Sequence, residues 1–274
     1  MITRSIPSSG EQLPVVGVGT WQTFDVGSSS SDREPLKKVL KILLDQGGSV
    51  IDSSPMYGKS EGVVGDLARE MGIAQKLFMA TKVWTSGKEN GMDQMNQSMN
   101  LMHKKPIDLM QIHNLVDWKT HLKTIRQWKE EGKIRYIGIT HYTDSAYDEM
   151  IQILQNEPLD FIQIDYSISN INADNRLLPL AKDKGVATLI NRPYDGGSLF
   201  RKTKGMNIPN WAKEFGIQSW GQFFLKYILA NDAVNCVIPG TDKPEHMLDN
   251  VGAGIGRIPG REDARKMKDW FDNV

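Results

Sequence analysis

Ile107-Asp108-Leu109-Met110-Gln111-Ile112-His113 is a run of strand length that ends on a histidine. Two earlier runs have the same form: Gly48-Ser49-Val50-Ile51-Asp52 ends on an aspartate, and Leu77-Phe78-Met79-Ala80-Thr81-Lys82 ends on a lysine. From Asp52 to Lys82 is 30 positions and from Lys82 to His113 is 31, about one strand–helix unit each. Parallel neighbouring strands bring equivalent ends side by side. These three groups, with Tyr57 just beyond Asp52, then converge on one spot.

The alternation extends outward from these runs. Residues 2–13 read as a hairpin with its turn at Pro7-Ser8-Ser9-Gly10-Glu11, and Leu13 to Thr20 as a Gly-punctuated strand. Leu36, Val39, Leu40, Leu43 and Leu44 have helical spacing, as do Val63, Val64, Leu67, Ala68 and Met71. A weaker helix is expected over 93–103 and a stronger one over 117–131. Strands follow at Ile134–Thr140, Leu159–Asp165, Val186–Asn191 and Val234–Ile238. Helices are expected at 143–155, 173–184, 208–215, 218–230, 244–252 and 261–272. Eight strands after the hairpin, nearly all followed by helix, leave an open doubly wound sheet or a closed barrel. Eight units without a linker in 274 residues favour one α/β domain over 1–274, a (β/α)8 TIM barrel with an N-terminal β-hairpin and a C-terminal extra helix.

Lys and Arg number 33 against 33 Asp and Glu, so no global field favours nucleic acid or an acidic membrane. The one cysteine, Cys236, sits among Val234, Val237 and Ile238 and reads as a small buried hydrophobe. The five histidines are scattered, and no metal site is expected. No run approaches the ~20 apolar residues of a membrane span, and the N-terminal stretch does not read as a signal peptide. Cytoplasmic residence is the expectation.

Alone, each member of the quartet has an ordinary explanation: a packing tyrosine in a Pro/Gly loop, a rim salt bridge, an Asx cap, a core histidine. Together they describe a site for protonating an oxygen. A phenol with a pKa near ~10 is a reluctant acid at neutral pH. An ammonium about 4 Å away is expected to lower that value by roughly one to three units. A carboxylate paired with the ammonium keeps it charged, and an imidazole can orient a carbonyl oxygen.

These residues carry a resemblance. Gly17-Val18-Gly19-Thr20-Trp21, Ile51-Asp52-Ser53-Ser54-Pro55-Met56-Tyr57-Gly58, Ala80-Thr81-Lys82-Val83-Trp84, the run ending at His113, Ile137-Gly138-Ile139-Thr140, Ile162-Gln163 and Val237-Ile238-Pro239-Gly240-Thr241 resemble the aldo-keto reductase superfamily over essentially the whole chain. The resemblance implies an NAD(P)H-dependent enzyme that reduces an aldehyde or ketone to an alcohol, reversibly. It makes Tyr57 the general acid, gives Lys82 and Asp52 the task of tuning and holding it, and has His113 position the carbonyl. Tyr57, His113, Trp21 and Trp84 then face a small-molecule carbonyl or alcohol substrate.

The implied cofactor contacts come from Gly19, Thr20, Trp21 and Asp52, with Thr140 and Gln163 at the carboxamide. His141 stands where many members have asparagine, and Asn191 where many have an aromatic that stacks on the nicotinamide. Arg192-Pro193-Tyr194 follows, leaving Tyr194 as an alternative ring. Gly197, Ser198 and Leu199 belong to the stretch resembling the pyrophosphate loop. Gly240, Thr241, Lys243 and His246 fall at the 2′-phosphate end, with Asp249 and Asn250 at adenine-contacting positions. Gly240 and His246 replace a lysine and an arginine of strongly NADPH-selective relatives, so NADP(H) is favoured and NAD(H) stays open. Gly17-Val18-Gly19 is not read as a dinucleotide fingerprint, because Gln22 occupies the third glycine position. A monomer is expected. Two other functions suit such a barrel: an aldolase-like Schiff-base role for Lys82, and a non-catalytic module that senses nicotinamide nucleotide or binds a protein partner.

Overall fold

In the computed structural model, which describes residues 1–274, the eight strand-like runs lie side by side in chain order and all run parallel. They are β3 (Val18–Gly19), β4 (Val50–Asp52), β5 (Phe78–Val83), β6 (Ile107–His113), β7 (Ile134–His141), β8 (Phe161–Asp165), β9 (Ala187–Asn191) and β10 (Cys236–Val237). Parallel bridges from Val16 to Val237 and from Gly19 to Gly240 join the first strand region to the last, which closes the barrel. A Cβ on Gly19 would fall 2.9 Å from the Ile238 carbonyl oxygen, so this glycine permits the closure. The Gly-x-Gly pair thus serves barrel geometry, as rejecting it as a fingerprint anticipates.

Helices α1 (Ser30–Asp45), α2 (Ser60–Glu70), α3 (Lys88–Leu101), α4 (Trp118–Glu130), α5 (Tyr147–Asn156) and α6 (Leu177–Asp183) fill the crossovers. The short α7 (Ser198–Lys202) and α8 (Trp220–Leu229) follow β9, and α9 (Pro244–Gly252) and α10 (Arg261–Asp272) follow β10. In α1 the Ser29 side chain accepts the Asp32 N–H, and Leu36, Val39, Leu40 and Leu43 form the buried stripe. None of the helices is long and apolar enough to cross a membrane.

Two apolar cores result. A large one lies between strands and helices; a smaller one fills the barrel with Val50, Phe78, Ala80, Leu109, Tyr136, Phe161, Leu189, Cys236 and others. Cys236 is therefore the buried hydrophobe that its neighbours suggest. The hairpin of β1 (Thr3–Ser5) and β2 (Gln12–Pro14) adds Ile6 and Leu13 to the inner core and plugs the barrel's lower end. With the bottom sealed, the strand C-termini form the open face.

Three strand starts share a device at the sealed end. Asp108 accepts the Met79 N–H at 2.8 Å, Asp160 the Ile137 N–H at 2.9 Å, and Asn235 the Thr188 N–H at 2.8 Å. Each side chain completes the ladder of the preceding strand where the tilt of a barrel leaves an N–H beyond its neighbour's backbone.

The expected elements are all present, with shifted edges. The run Leu13–Thr20 divides, because residues 12–14 pair in the hairpin while Val18–Gly19 enters the barrel. The helix expected over 93–103 begins at Lys88, after Gly87 at φ 87°, and ends at Leu101. The piece at 208–215 is a 3₁₀ stretch, Asn210–Phe215, set between Pro209 and Gly216.

Asp160 is 4% exposed and also binds Lys129 Nζ at 2.8 and 2.6 Å. Asp160→Ala removes an acceptor of one buried N–H and one partly exposed ammonium. It is expected to cost about 2 kcal/mol and to lower the thermal midpoint by roughly 4–8 °C. Asp160→Asn is expected to recover part of that loss. Calorimetry on the three proteins checks this, and an Asp160→Ala midpoint equal to wild type would refute the ladder role.

Candidate active site

The strand ends carry their side chains into one cleft of about 1100 Å³ on the open face. Register sets the floor: Asp52 pairs with Ala80, Lys82 with Gln111, His113 with Thr140, and Thr140 with Gln163. Lys82 is fully buried and Asp52 is 2% exposed. Lys82 Nζ donates to Asp52 Oδ2 at 2.6 Å and to the Ser53 carbonyl at 2.6 Å. The other carboxylate oxygen accepts from Gln163 Nε2 at 2.8 Å and from Gln111 Nε2 at 3.1 Å.

Tyr57 reaches this floor from the loop after β4. A turn closed by the Tyr57 N–H to the Ser54 carbonyl at 2.9 Å, with Pro55 in its second position, presents the ring. Gly58 follows at φ 59°, where a Cβ would strike the Asp25 carboxylate, and α2 begins two residues later. Lys82 Nζ lies 5.0 Å from the Tyr57 ring centroid. His113 meets Tyr57 edge to face, with ring centroids 5.8 Å apart, and Trp84 lies 6.4 Å from the imidazole. Ser54 Oγ lies 2.9 Å from His113 Nδ1.

The electrostatics differ in one respect from the sequence expectation. Burial raises the Tyr57 phenol above 10.0, and Asp52 adds to the rise; Lys82 offsets only part of it. The expected net lowering by the ammonium is therefore corrected: at this depth desolvation outweighs it. Burial pulls the Lys82 pKa down, but Asp52 and Tyr57 hold it above the ordinary value. Burial, then the Lys82 charge and His141, push His113 down to about 2, so it is neutral at any physiological pH. The cleft holds a protonated phenol, a fixed ammonium and a neutral imidazole. It can give a proton to a carbonyl oxygen and stabilise the phenolate left behind. A charged Lys82 is a poor nucleophile, which argues against the Schiff-base alternative.

Most predicted contacts line this cleft: Gly19, Thr20, Trp21, Trp84, Thr140, Gln163, Asn191, Arg192, Pro193, Gly197, Gly240, Thr241, His246, Asp249 and Asn250. Four do not. His141 stacks on Tyr142 with centroids 5.6 Å apart and lies off the lining, its Nδ1 accepting the Thr143 N–H. Leu199 is buried in the core, Ser198 donates to Asp195, and Lys243 lies on the exposed surface at the start of α9. Asp249 is already engaged, accepting from Ser219 at 2.6 Å and Gln222 at 2.9 Å. Tyr194, fully engaged with Asn250 Oδ1 at 2.5 Å, buttresses the lining.

The floor fits a carboxamide. Thr140 and Asn191 both donate to Gln163 Oε1, at 3.2 and 3.5 Å, and the Gln163 amide nitrogen is taken by Asp52. Asn191 Oδ1 is buried with no partner, leaving an acceptor for an amide N–H beside the reactive groups. Sequence reasoning missed Ser54, Gln111, Met56, Asn114 and Tyr142. Asn114 and Leu115 carry positive φ values of 52° and 57°, and no local pattern in the sequence announces them. A second groove of about 800 Å³, from Met206 to Trp220, contains none of these groups.

Comparison with known proteins agrees with this geometry. The model of the aldo/keto reductase family matches residues 15–259. Aldo-keto reductase YhdN of Bacillus subtilis is 27% identical over 201 residues, which are 68% of this chain and 60% of that protein. Methylglyoxal reductase YeaE of Escherichia coli is 24% identical, covering 92% of this chain and 89% of its own. The crystal structure of an aldo-keto reductase from Klebsiella pneumoniae in complex with NADPH superposes with a TM-score of 0.82 at 21% identity, over 99% of this chain and 96% of its own, and so shares the fold. The chain belongs to the aldo/keto reductase family and is an oxidoreductase of that kind, acting on carbonyl groups.

Proposed function

We propose that residues 1–274 work as one barrel domain that reduces an uncharged aldehyde or ketone, with NADP(H) preferred over NAD(H). The bound dinucleotide supplies hydride to the carbonyl carbon. Tyr57 gives its proton to the carbonyl oxygen, Lys82 stabilises the phenolate, Asp52 keeps Lys82 charged, and His113 donates a hydrogen bond that orients the oxygen. The observation that carries this reading is the buried Lys82–Asp52 pair at 2.6 Å, set behind Tyr57 and beside His113 on the floor of a cleft. Asn191 Oδ1 and Thr140 are assigned to the carboxamide, and Gly197 to the pyrophosphate. Lys243 and His246 are assigned to the 2′-phosphate at the start of α9. An intact acid with a charged supporting lysine disfavours the non-catalytic alternative.

The chemistry of the cleft mouth supports the substrate class. Trp21 is 52% exposed, Tyr142 47% and Trp84 41%, with Met56 beside them. Such a rim suits an apolar or aromatic body. The one arginine of the lining, Arg192, is tied to Asp165 at 3.4 Å and Asp195 at 3.6 Å, so it is poorly placed to receive a substrate anion. The named site residues of one chain suffice for the proposed reaction, and the enzyme is proposed to act as a monomer. The enzyme is proposed to reside in the cytoplasm, with which its single buried thiol is compatible.

Tyr57→Phe is expected to lower kcat for carbonyl reduction by roughly 10²–10⁴-fold while leaving cofactor binding intact. In the wild type, kcat at saturating cofactor is expected to stay level from about pH 6 to 9, because the phenol titrates above 10.0 and His113 near 2. Steady-state kinetics test both; full turnover in Tyr57→Phe, or an inflection belonging to His113, would contradict the assignment.

Fluorescence-quenching titration is expected to show NADPH binding weakened roughly three- to tenfold by Lys243→Ala and by His246→Ala, with NADH unaffected. Equal affinities unchanged by either substitution would remove the 2′-phosphate role, and sedimentation of the same samples should report one 30.8 kDa chain. A phosphorylated aldehyde is expected to show a kcat/KM at least about tenfold below that of an uncharged aromatic aldehyde. A preference for the phosphorylated substrate would overturn the proposed class.

A further inference from the structure

Ser54 lies between the two groups that face the carbonyl oxygen. Its carbonyl accepts the Tyr57 N–H at 2.9 Å and so closes the turn that presents the phenol. Its hydroxyl oxygen accepts the Met56 N–H at 3.2 Å and lies 2.9 Å from His113 Nδ1. Ser54 is fully buried and His113 is 5% exposed, so water does not complete the bonding of this hydroxyl.

That leaves a counting problem with one solution. Ser54 has one proton and two lone pairs, and Met56 fills a lone pair. The remaining polar neighbour is His113 Nδ1. If Nδ1 carried the proton, the hydroxyl would accept twice and its own proton would be buried without an acceptor, a costly arrangement. If the hydroxyl donates to Nδ1, every group is satisfied. The neutral ring then carries its proton on Nε2, and His113 lines the cleft.

We propose that Ser54 is the positioning residue that fixes His113 as the Nε2–H tautomer, so that the imidazole can only donate to the substrate oxygen. Ser54 thereby holds both proton-handling groups: the turn through its carbonyl sets Tyr57, and its hydroxyl sets His113. The opposite tautomer would present a lone pair to the carbonyl oxygen and repel it. The neutrality of the ring makes this choice matter, since a charged imidazolium would donate from both nitrogens.

The proposal rests on the reading of His113 as the carbonyl donor only for its kinetic consequence; the tautomer can be read without turnover. Two-bond ¹H–¹⁵N correlation spectra of histidine-labelled protein, with His113→Asn to assign the resonance, report which nitrogen is protonated. Wild-type protein is expected to show His113 wholly as Nε2–H. Ser54→Ala is expected to show a mixture of tautomers and a kcat/KM roughly fivefold lower, with cofactor affinity unchanged. Ser54→Thr, which retains the hydroxyl, is expected to restore the pure Nε2–H form. A wild-type spectrum with the proton on Nδ1 would overturn the proposal even if the variants failed to fold. So would a Ser54→Ala protein that keeps the pure Nε2–H form and full kcat/KM. A wild type that shows Nε2–H but reduces no carbonyl leaves the tautomer assignment standing and counts against the proposed function instead.

Discussion

A lysine ammonium buried without a counter-charge loses its proton or unfolds its surroundings. Lys82 has no exposed surface, and the active face is arranged around keeping it charged. Asp52 supplies the opposite charge at 2.6 Å, and the Ser53 carbonyl takes a second ammonium proton. The carboxylate in turn needs donors for its other oxygen, which come from Gln111 and Gln163. Five positions on four strand ends are thus committed before any substrate contact is made. The parallel register makes this affordable, since Lys82 is paired with Gln111 and lies one strand from Asp52.

The same charge sets the state of its neighbours. It disfavours a second cation nearby, and with burial it keeps His113 neutral. It lowers the cost of a phenolate at Tyr57, yet burial dominates and the phenol rests protonated. For reduction this is the useful ground state, because the acid is loaded across the neutral range and the ammonium acts when the proton leaves. A phenol lowered to the neutral range, as distance alone would suggest, would spend part of its time without the proton it must give.

What could be read from the sequence follows from which interactions are local. Eight strands and their order were legible because apolar runs alternate with helical stripes. Asp52, Tyr57, Lys82 and His113 were legible because the barrel repeat places them one unit apart. Ser54, Gln111 and the acceptors at Asp108, Asp160 and Asn235 were not assigned roles. Their partners lie 29, 59, 23 or 47 residues away, and nothing adjacent in the chain marks them. His141 illustrates the converse: its position in the motif suggests the cofactor, and in the fold it stacks behind the lining residue Tyr142 without lining the cleft itself. The phenol's upward shift was also beyond reach, because desolvation depends on how deeply the fold buries the ring.

The two ends of the barrel use polar side chains in opposite ways. At the sealed end, Asp108, Asp160 and Asn235 accept the N–H groups that complete strand ladders. At the open end, Asn191 Oδ1 is buried without a partner, and His113 lines the cleft. An unpartnered buried acceptor costs stability, and at Asn191 the proposed amide ligand supplies the missing donor. The plugged end contributes the rigidity that allows the open end to hold such groups in place. This division explains why the reactive groups gather at the strand C-termini rather than being spread through the barrel.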